Sequence, residues 1–220
     1  MKTISCPKLL QNIPDAPHSL YIRGTLPDMK KQLNLVVVGS RHHTQYGKQV
    51  CTEIIRALKG YPVTIISGLA IGIDTIALTE ALRNNLHCIA IPGSGLDPHV
   101  LYPYRNRKLA ERIVSSGNCL LSEYEPSHTA TRLTFPQRNR IMAGCADAVL
   151  IIEAQMNSGT SITAGLAVDY NREVLVVPGS IINPHSSYCN ELIKEGAIPI
   201  TEAKDIIKNF NLKKLTPFDR

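Results

Sequence analysis

The chain of 220 residues has no tryptophan and only three phenylalanines, and aromatic residues reach 5%. Its core therefore has to be aliphatic, and each ring it does carry becomes worth locating. No apolar run approaches the roughly 18 residues that a membrane span needs, and the first residues hold no apolar stretch of signal-peptide length. No membrane partner is expected, and a cytoplasmic location is. Six cysteines, at positions 6, 51, 88, 119, 145 and 189, include no Cys-x-x-Cys and no Cys/His pair at zinc-ligand spacing. They read as reduced, buried small hydrophobes; the adjacent His42 and His43 point apart, and no metal site is expected. There is no Walker A run, and Pro92-Gly93-Ser94-Gly95-Leu96-Asp97-Pro98 has proline where a dinucleotide fingerprint needs its last glycine. Nicotinamide and P-loop chemistry are excluded, and no cofactor is expected.

Charged residues make up only 19%, yet 24 basic against 18 acidic side chains leave a formal charge of +6 and a sequence pI near 9.0. A polyanionic partner suits that balance. With 44% hydrophobic residues and 14 glycines and 14 prolines, the composition belongs to a globular domain, not to a disordered or collagen-like chain.

Short β-branched runs recur along the chain, each followed by glycine or proline and then by a helix-length amphipathic stretch. Strands are expected at Leu35 to Val38, Val63 to Ile66, Cys88 to Ile91, Cys119 to Ser122, Val149 to Ile152, Val174 to Val177 and Ile198 to Ile200. Helices are expected near Gly47 to Leu58, Asp74 to Asn84, Tyr104 to Ser115, Pro136 to Ala143, Thr160 to Asn171, Tyr188 to Glu195 and Ala203 to Asn209. Because Leu-Val-Val-Val and Val-Leu-Ile-Ile do not alternate with polar residues, both faces of the sheet must be covered. The expected fold is α/β, an extended Rossmann-like, doubly wound and mainly parallel sheet with helices on both faces. Residues 34–210 form the core, 1–33 an irregular lead-in and 211–220 a frayed tail.

In such sheets ligands sit beyond the carboxyl ends of the strands, so the segments that follow strands are the informative ones. Gly39-Ser40-Arg41 combines close backbone approach, a hydroxyl and a guanidinium, a set that suits a phosphate. Ser67-Gly68 opens a loop that runs to Asp74, which reads as a helix cap or as a ligand. Arg132, Phe135, Arg138, Asn139 and Arg140 crowd the entrance of one helix, with no acidic residue from Thr129 to Ala146. Helix N-termini prefer negative charge, so a bound anion would resolve the conflict. An aromatic among loop arginines is also how proteins hold single-stranded nucleic acid. Ser158-Gly159-Thr160 opens a further helix with small hydroxyl residues, a second anion-binding end. Arg105, Lys108 and Arg112 form a basic stripe that reads as a solvated face. Glu123 and Glu153, at the ends of two strands, read as structural partners for nearby arginines.

The ordered set Gly39-Ser40-Arg41, Ser67-Gly68-Leu69-Ala70-x-Gly72-Ile73-Asp74, Gly95-Leu96-Asp97 with Tyr102-Pro103 and Asn106, Ser122-Glu123-x-x-Pro126, Phe135-Pro136-x-Arg138-Asn139-Arg140-Ile141, Ser158-Gly159-x-x-x-Thr163-Ala164 and Val177-Pro178-Gly179 resembles the DNA-processing protein A family, DprA or Smf. The resemblance runs from about Pro17 to Ile207. It implies a homodimer that binds and protects single-stranded DNA and assists loading of the RecA recombinase in natural transformation, with no catalysis. It further implies that Arg41 contacts phosphate, Phe135 stacks a base, Arg132 is the basic residue three before it, and Arg138 to Arg140 form a positive rim. Family members often carry a helical domain before this core and a winged helix after it; the chain is expected to hold the core alone. The alternative is a nucleotide-binding sensor or a relative of the LOG-type phosphoribohydrolases, but Thr163 stands where their glutamate would be, so the acid for glycosidic chemistry is missing.

Overall fold

The computed structural model describes residues 1–216. Its centre is β3 (Leu33–Val38), a Leu-Asn-Leu-Val-Val-Val run buried along its whole length. Leu35 and Val37 point into one apolar layer, Val36 and Val38 into the other, as the pleat requires. The chain continues through α1 (Gln45–Ala57), β4 (Val63–Ser67), α2 (Ile73–Arg83), β5 (His87–Ala90), α3 (Arg107–Ser115) and β6 (Cys119–Ser122). It returns to the other side of β3 with α4 (Thr134–Cys145), β7 (Ala148–Ile151), α5 (Gly159–Asp169), β8 (Glu173–Val176), α6 (Ser187–Lys194), β9 (Ile198–Pro199) and α7 (Ala203–Asn209). All seven expected strands and all seven expected helices are present within a few residues of their expected bounds.

The strands from β6 to β9 run parallel, in the spatial order β6-β5-β4-β3-β7-β8-β9. Helices α1, α2, α3 and α7 bury their apolar stripes on one face, as Ile54, Leu78, Ile113 and Ile206 show. The other face is covered by α4, α5 and α6, through residues such as Ile141, Ala164 and Leu192. Successive connections step from β3 to β4 on one side and reach β7 on the other, so the switch point of the sheet lies where the β3 and β7 loops diverge.

One expectation is corrected at the amino end. The first 33 residues are not irregular: Lys2–Ser5 and Ser19–Gly24 form β1 and β2, which extend the sheet antiparallel beyond β6. Leu20 and Ile22 of β2 face the core while their neighbours are more open, a half-covered pattern whose run is too short to stand out in sequence. Arg172 ties the segment down by donating to the carbonyls of Leu9 and Gly144. At the other end, the Leu215 amide donates to the Gly60 carbonyl, so residues up to 216 follow the body of the fold instead of fraying; the rest of the expected tail, 217–220, lies outside the described residues.

Candidate functional site

The carboxyl ends of β3 and β7 open onto a cavity of about 650 Å³, at the switch point. The β3 loop supplies Gly39, Ser40 and Arg41 to its wall; α4 and the loop before it supply Arg132, Phe135, Arg138 and Asn139; and the mouth of α5 supplies Ser158, Gly159 and Thr160. Ten of the thirteen candidate residues thus converge on one crevice from three separate segments.

The β3 loop is held by the end of β7 and by the start of α2, where the Ile73 amide donates to the Ser40 carbonyl. The Ser40 amide donates to the Glu153 carbonyl, while the Glu153 carboxylate accepts from the Thr44 amide at 2.8 Å and from the Thr44 hydroxyl at 2.5 Å. Thr44 in turn caps α1 through Gly47. Glu153 therefore meets a helix cap, where an arginine was expected. Arg41 projects from this loop into the open, its guanidinium 5.4 Å from the centroid of the Phe135 ring. Phe135 itself is half-buried in the first turn of α4, against Gly93 and 5.6 Å from the ring of Tyr102.

Arg138 occupies a different environment. Only 5% exposed, it forms part of the cavity floor and donates to the carbonyls of Gly68 and Ile91, just past the ends of β4 and β5, and to the side chain of Asn139. A side chain on Gly68 would collide with the guanidinium, which is why glycine stands there. Burial pulls the Arg138 pKa down to about 10, and the charge of Asp74 opposes that shift, so the group stays cationic at neutral pH. Asp74 is no helix cap: it lies within α2 and accepts from the amides of Gly68 and Ala70, closing the loop beneath the cavity. Desolvation pushes its carboxyl above the ordinary range, against the pull of Arg138 and the two amides. Asn106 braces the same loop from outside by donating to the carbonyls of Leu69 and Ala70 and to the Thr75 hydroxyl.

Two further candidates lie away from the cavity. Arg140 points to the lead-in side of α4, where it pairs with Glu123 and, at 3.1 Å, with Asp15. The expectation that Arg138 to Arg140 line up as a positive rim therefore does not hold as geometry: on a helix, side chains two apart point to opposite faces. Ser67 is fully buried, its hydroxyl donating to the Val37 carbonyl, and it does not line the cavity. Conversely, Tyr102, His42, Gln155 and His185 line it and were not among the candidates. Tyr102 sat within a motif already noted and could have been included; His185 comes from a loop whose fold-back no local pattern announces.

The chemistry of the crevice is that of an anion seat. Among the described residues neither Arg41 nor Arg132 has an acidic partner within ion-pair distance. The first turn of α5 holds no acidic residue and no side-chain cap, and the Ser158 hydroxyl is buried without a hydrogen-bond partner. Positive helix ends and unpaired guanidinium groups favour phosphate. Among the described residues no group of three or more His, Cys, Asp or Glu side chains could hold a metal ion, and no helix is long and apolar enough to cross a membrane.

Fold and crevice together define a Rossmann-like α/β protein with a cationic site at the switch point of its sheet. The family of DNA recombination-mediator protein A matches residues 2–211, and the chain belongs to that family. It is 40% identical over 201 residues to the DNA processing protein DprA of Streptococcus pneumoniae, covering 91% of this chain and 70% of that protein. It is 39% identical to the protein Smf of Escherichia coli, but spans only 53% of that longer relative. A solved structure describing a single-stranded DNA binding mode of DNA processing protein A from Helicobacter pylori superposes with a TM-score of 0.85 at 29% identity, covering 96% of this chain and 95% of that one.

Proposed function

We propose that the cavity binds single-stranded DNA, with Arg41, Arg132 and the amino end of α5 taking phosphates and Phe135 stacking a base. The observation that carries this reading is the pairing of cations that no described acid neutralises with a half-exposed ring in one crevice. Phosphate contacts alone would accept any polyanion, whereas a ring selects unpaired bases. The Helicobacter relative and the family description support the same class of ligand. In this reading the protein is a non-enzymatic, cytoplasmic mediator. It protects incoming strands and assists loading of the RecA recombinase during natural transformation, and it works as a homodimer with two such crevices, the DNA site lying within residues 34–210.

The test is a titration with fluorescent oligothymidine and with its duplex at two salt concentrations. Preference for the single strand with a steep salt dependence is expected; equal binding of both forms, or none at low salt, would favour a small nucleotide in the crevice. Light scattering that gives the mass of a single 24.2 kDa chain at micromolar protein would remove the dimer.

A further inference from the structure

The aromatic surface does not stop at the cavity. Tyr102, whose ring is in tilted contact with Phe135, lines the cavity and is 50% exposed. Two positions on, Tyr104 is 75% exposed, with the Arg107 guanidinium 4.8 Å from its ring centroid. Arg107 is fixed from behind by the carbonyls of Leu101 and His99, so one face of the Tyr104 ring is backed by an anchored cation. The basic stripe Arg105, Lys108 and Arg112 begins beside this ring and is exposed. The one acidic residue of α3, Glu111, is paired with Arg23, and among the described residues none of the three stripe cations has an acidic partner. The two exposed rings beside it set this stripe apart from an ordinary solvated face.

We infer that Tyr102 and Tyr104 carry the strand out of the cavity, stacking successive bases, while Arg105 and Lys108 neutralise the phosphates between them. The inference rests on the cavity being the single-strand site. It extends that site along the start of α3 and assigns the stripe a ligand of the same chemistry. Stacking on a ring tolerates any base, so the track lengthens the site without adding sequence preference.

The test compares oligothymidines of about 4 and about 16 nucleotides, a range that spans the usual single-strand sites. Tyr104→Ala should bind the long oligomer roughly 5- to 150-fold more weakly, the range expected for losing one stacked base, and bind the short one as the parent does. Tyr104→Phe, which keeps the ring, should restore the long-oligomer affinity. Because the chain has no tryptophan, Tyr104→Trp places a single indole on the track, and its emission should be quenched by the long oligomer and not by the short one. If Tyr104→Ala binds the long oligomer normally and the indole emission stays unchanged at saturation, while Phe135→Ala is weakened with both lengths, the track is wrong and the cavity reading stands. If Phe135→Ala binds both lengths normally, the cavity reading falls and the track with it.

Discussion

Arg41 and Arg132 stand exposed at the mouth of the cavity, whereas Arg138 and Arg140 are taken up by the fold. Arg138 serves strand-end carbonyls and a buried carboxylate, and Arg140 serves Glu123 and Asp15. All four residues look alike in sequence. The contrast teaches that a cluster of positive charge has to be divided before it is assigned to a ligand: a cation with internal partners organises the site, and one without them is free to meet a phosphate. The same helix does both jobs because its faces point to different neighbours.

The sharpest way to break this division is Arg138→Ala. Removing the buried guanidinium leaves the Gly68 and Ile91 carbonyls without their donor and withdraws the positive charge that offsets the burial of Asp74, at roughly 3 to 5 kcal/mol. Chemical denaturation should show a loss of that order, with DNA affinity falling only as the folded fraction falls. A residue of the positive rim implied by the family resemblance would instead lose a phosphate contact and keep the fold. A variant with parental stability and a salt slope reduced by about one would return Arg138 to the phosphate contacts.

Arg140→Ala should cost less, about 2 kcal/mol, because its pairs are only partly shielded from water. Its signature is in the pH profile. Burial already raises the Glu123 carboxyl above its ordinary range, and Arg140 is the main influence holding it down. With Arg140 gone, the folded state takes up a proton at a higher pH than the unfolded chain does, so the variant should gain stability as pH falls toward the ordinary carboxyl range. Arg41→Ala leaves Arg140 beside Glu123 and should show a smaller gain. Equal pH profiles for the two variants would erase the contrast between them.

Phe135→Ala should weaken single-strand binding by about 1 to 3 kcal/mol while leaving the salt slope unchanged, since no phosphate contact is lost. The ring is half-buried, so its stability cost should stay below the roughly 3 to 5 kcal/mol of a fully buried phenylalanine. Intact affinity with a cost in that full range would make the ring a core anchor. The smallest effects belong to Arg41→Ala and Arg132→Ala. Each should lower affinity about tenfold at low salt and reduce the salt slope by about one, with unchanged melting. Normal binding by either folded variant would show that open exposure alone does not make an arginine a DNA contact.

By itself the sequence determined the parallel sheet, its covered faces and the places to look. Non-alternating runs such as Leu35 to Val38 demand burial on both sides, and the Gly39-Ser40-Arg41 and Ser158-Gly159-Thr160 turns mark strand ends by local backbone chemistry. Those signals are short-range, so they survive in one dimension. Only the tertiary structure decided which charges were free. The partners of Arg138 lie at Gly68 and Ile91, those of Arg140 at Asp15 and Glu123, and the hold of Glu153 on Thr44 spans more than a hundred residues. Likewise β1 and β2 became legible only when β6 offered an edge to pair with. Coulomb and hydrogen-bond energies depend on distance in space and on exclusion of water, and neither is written in the order of residues along the chain.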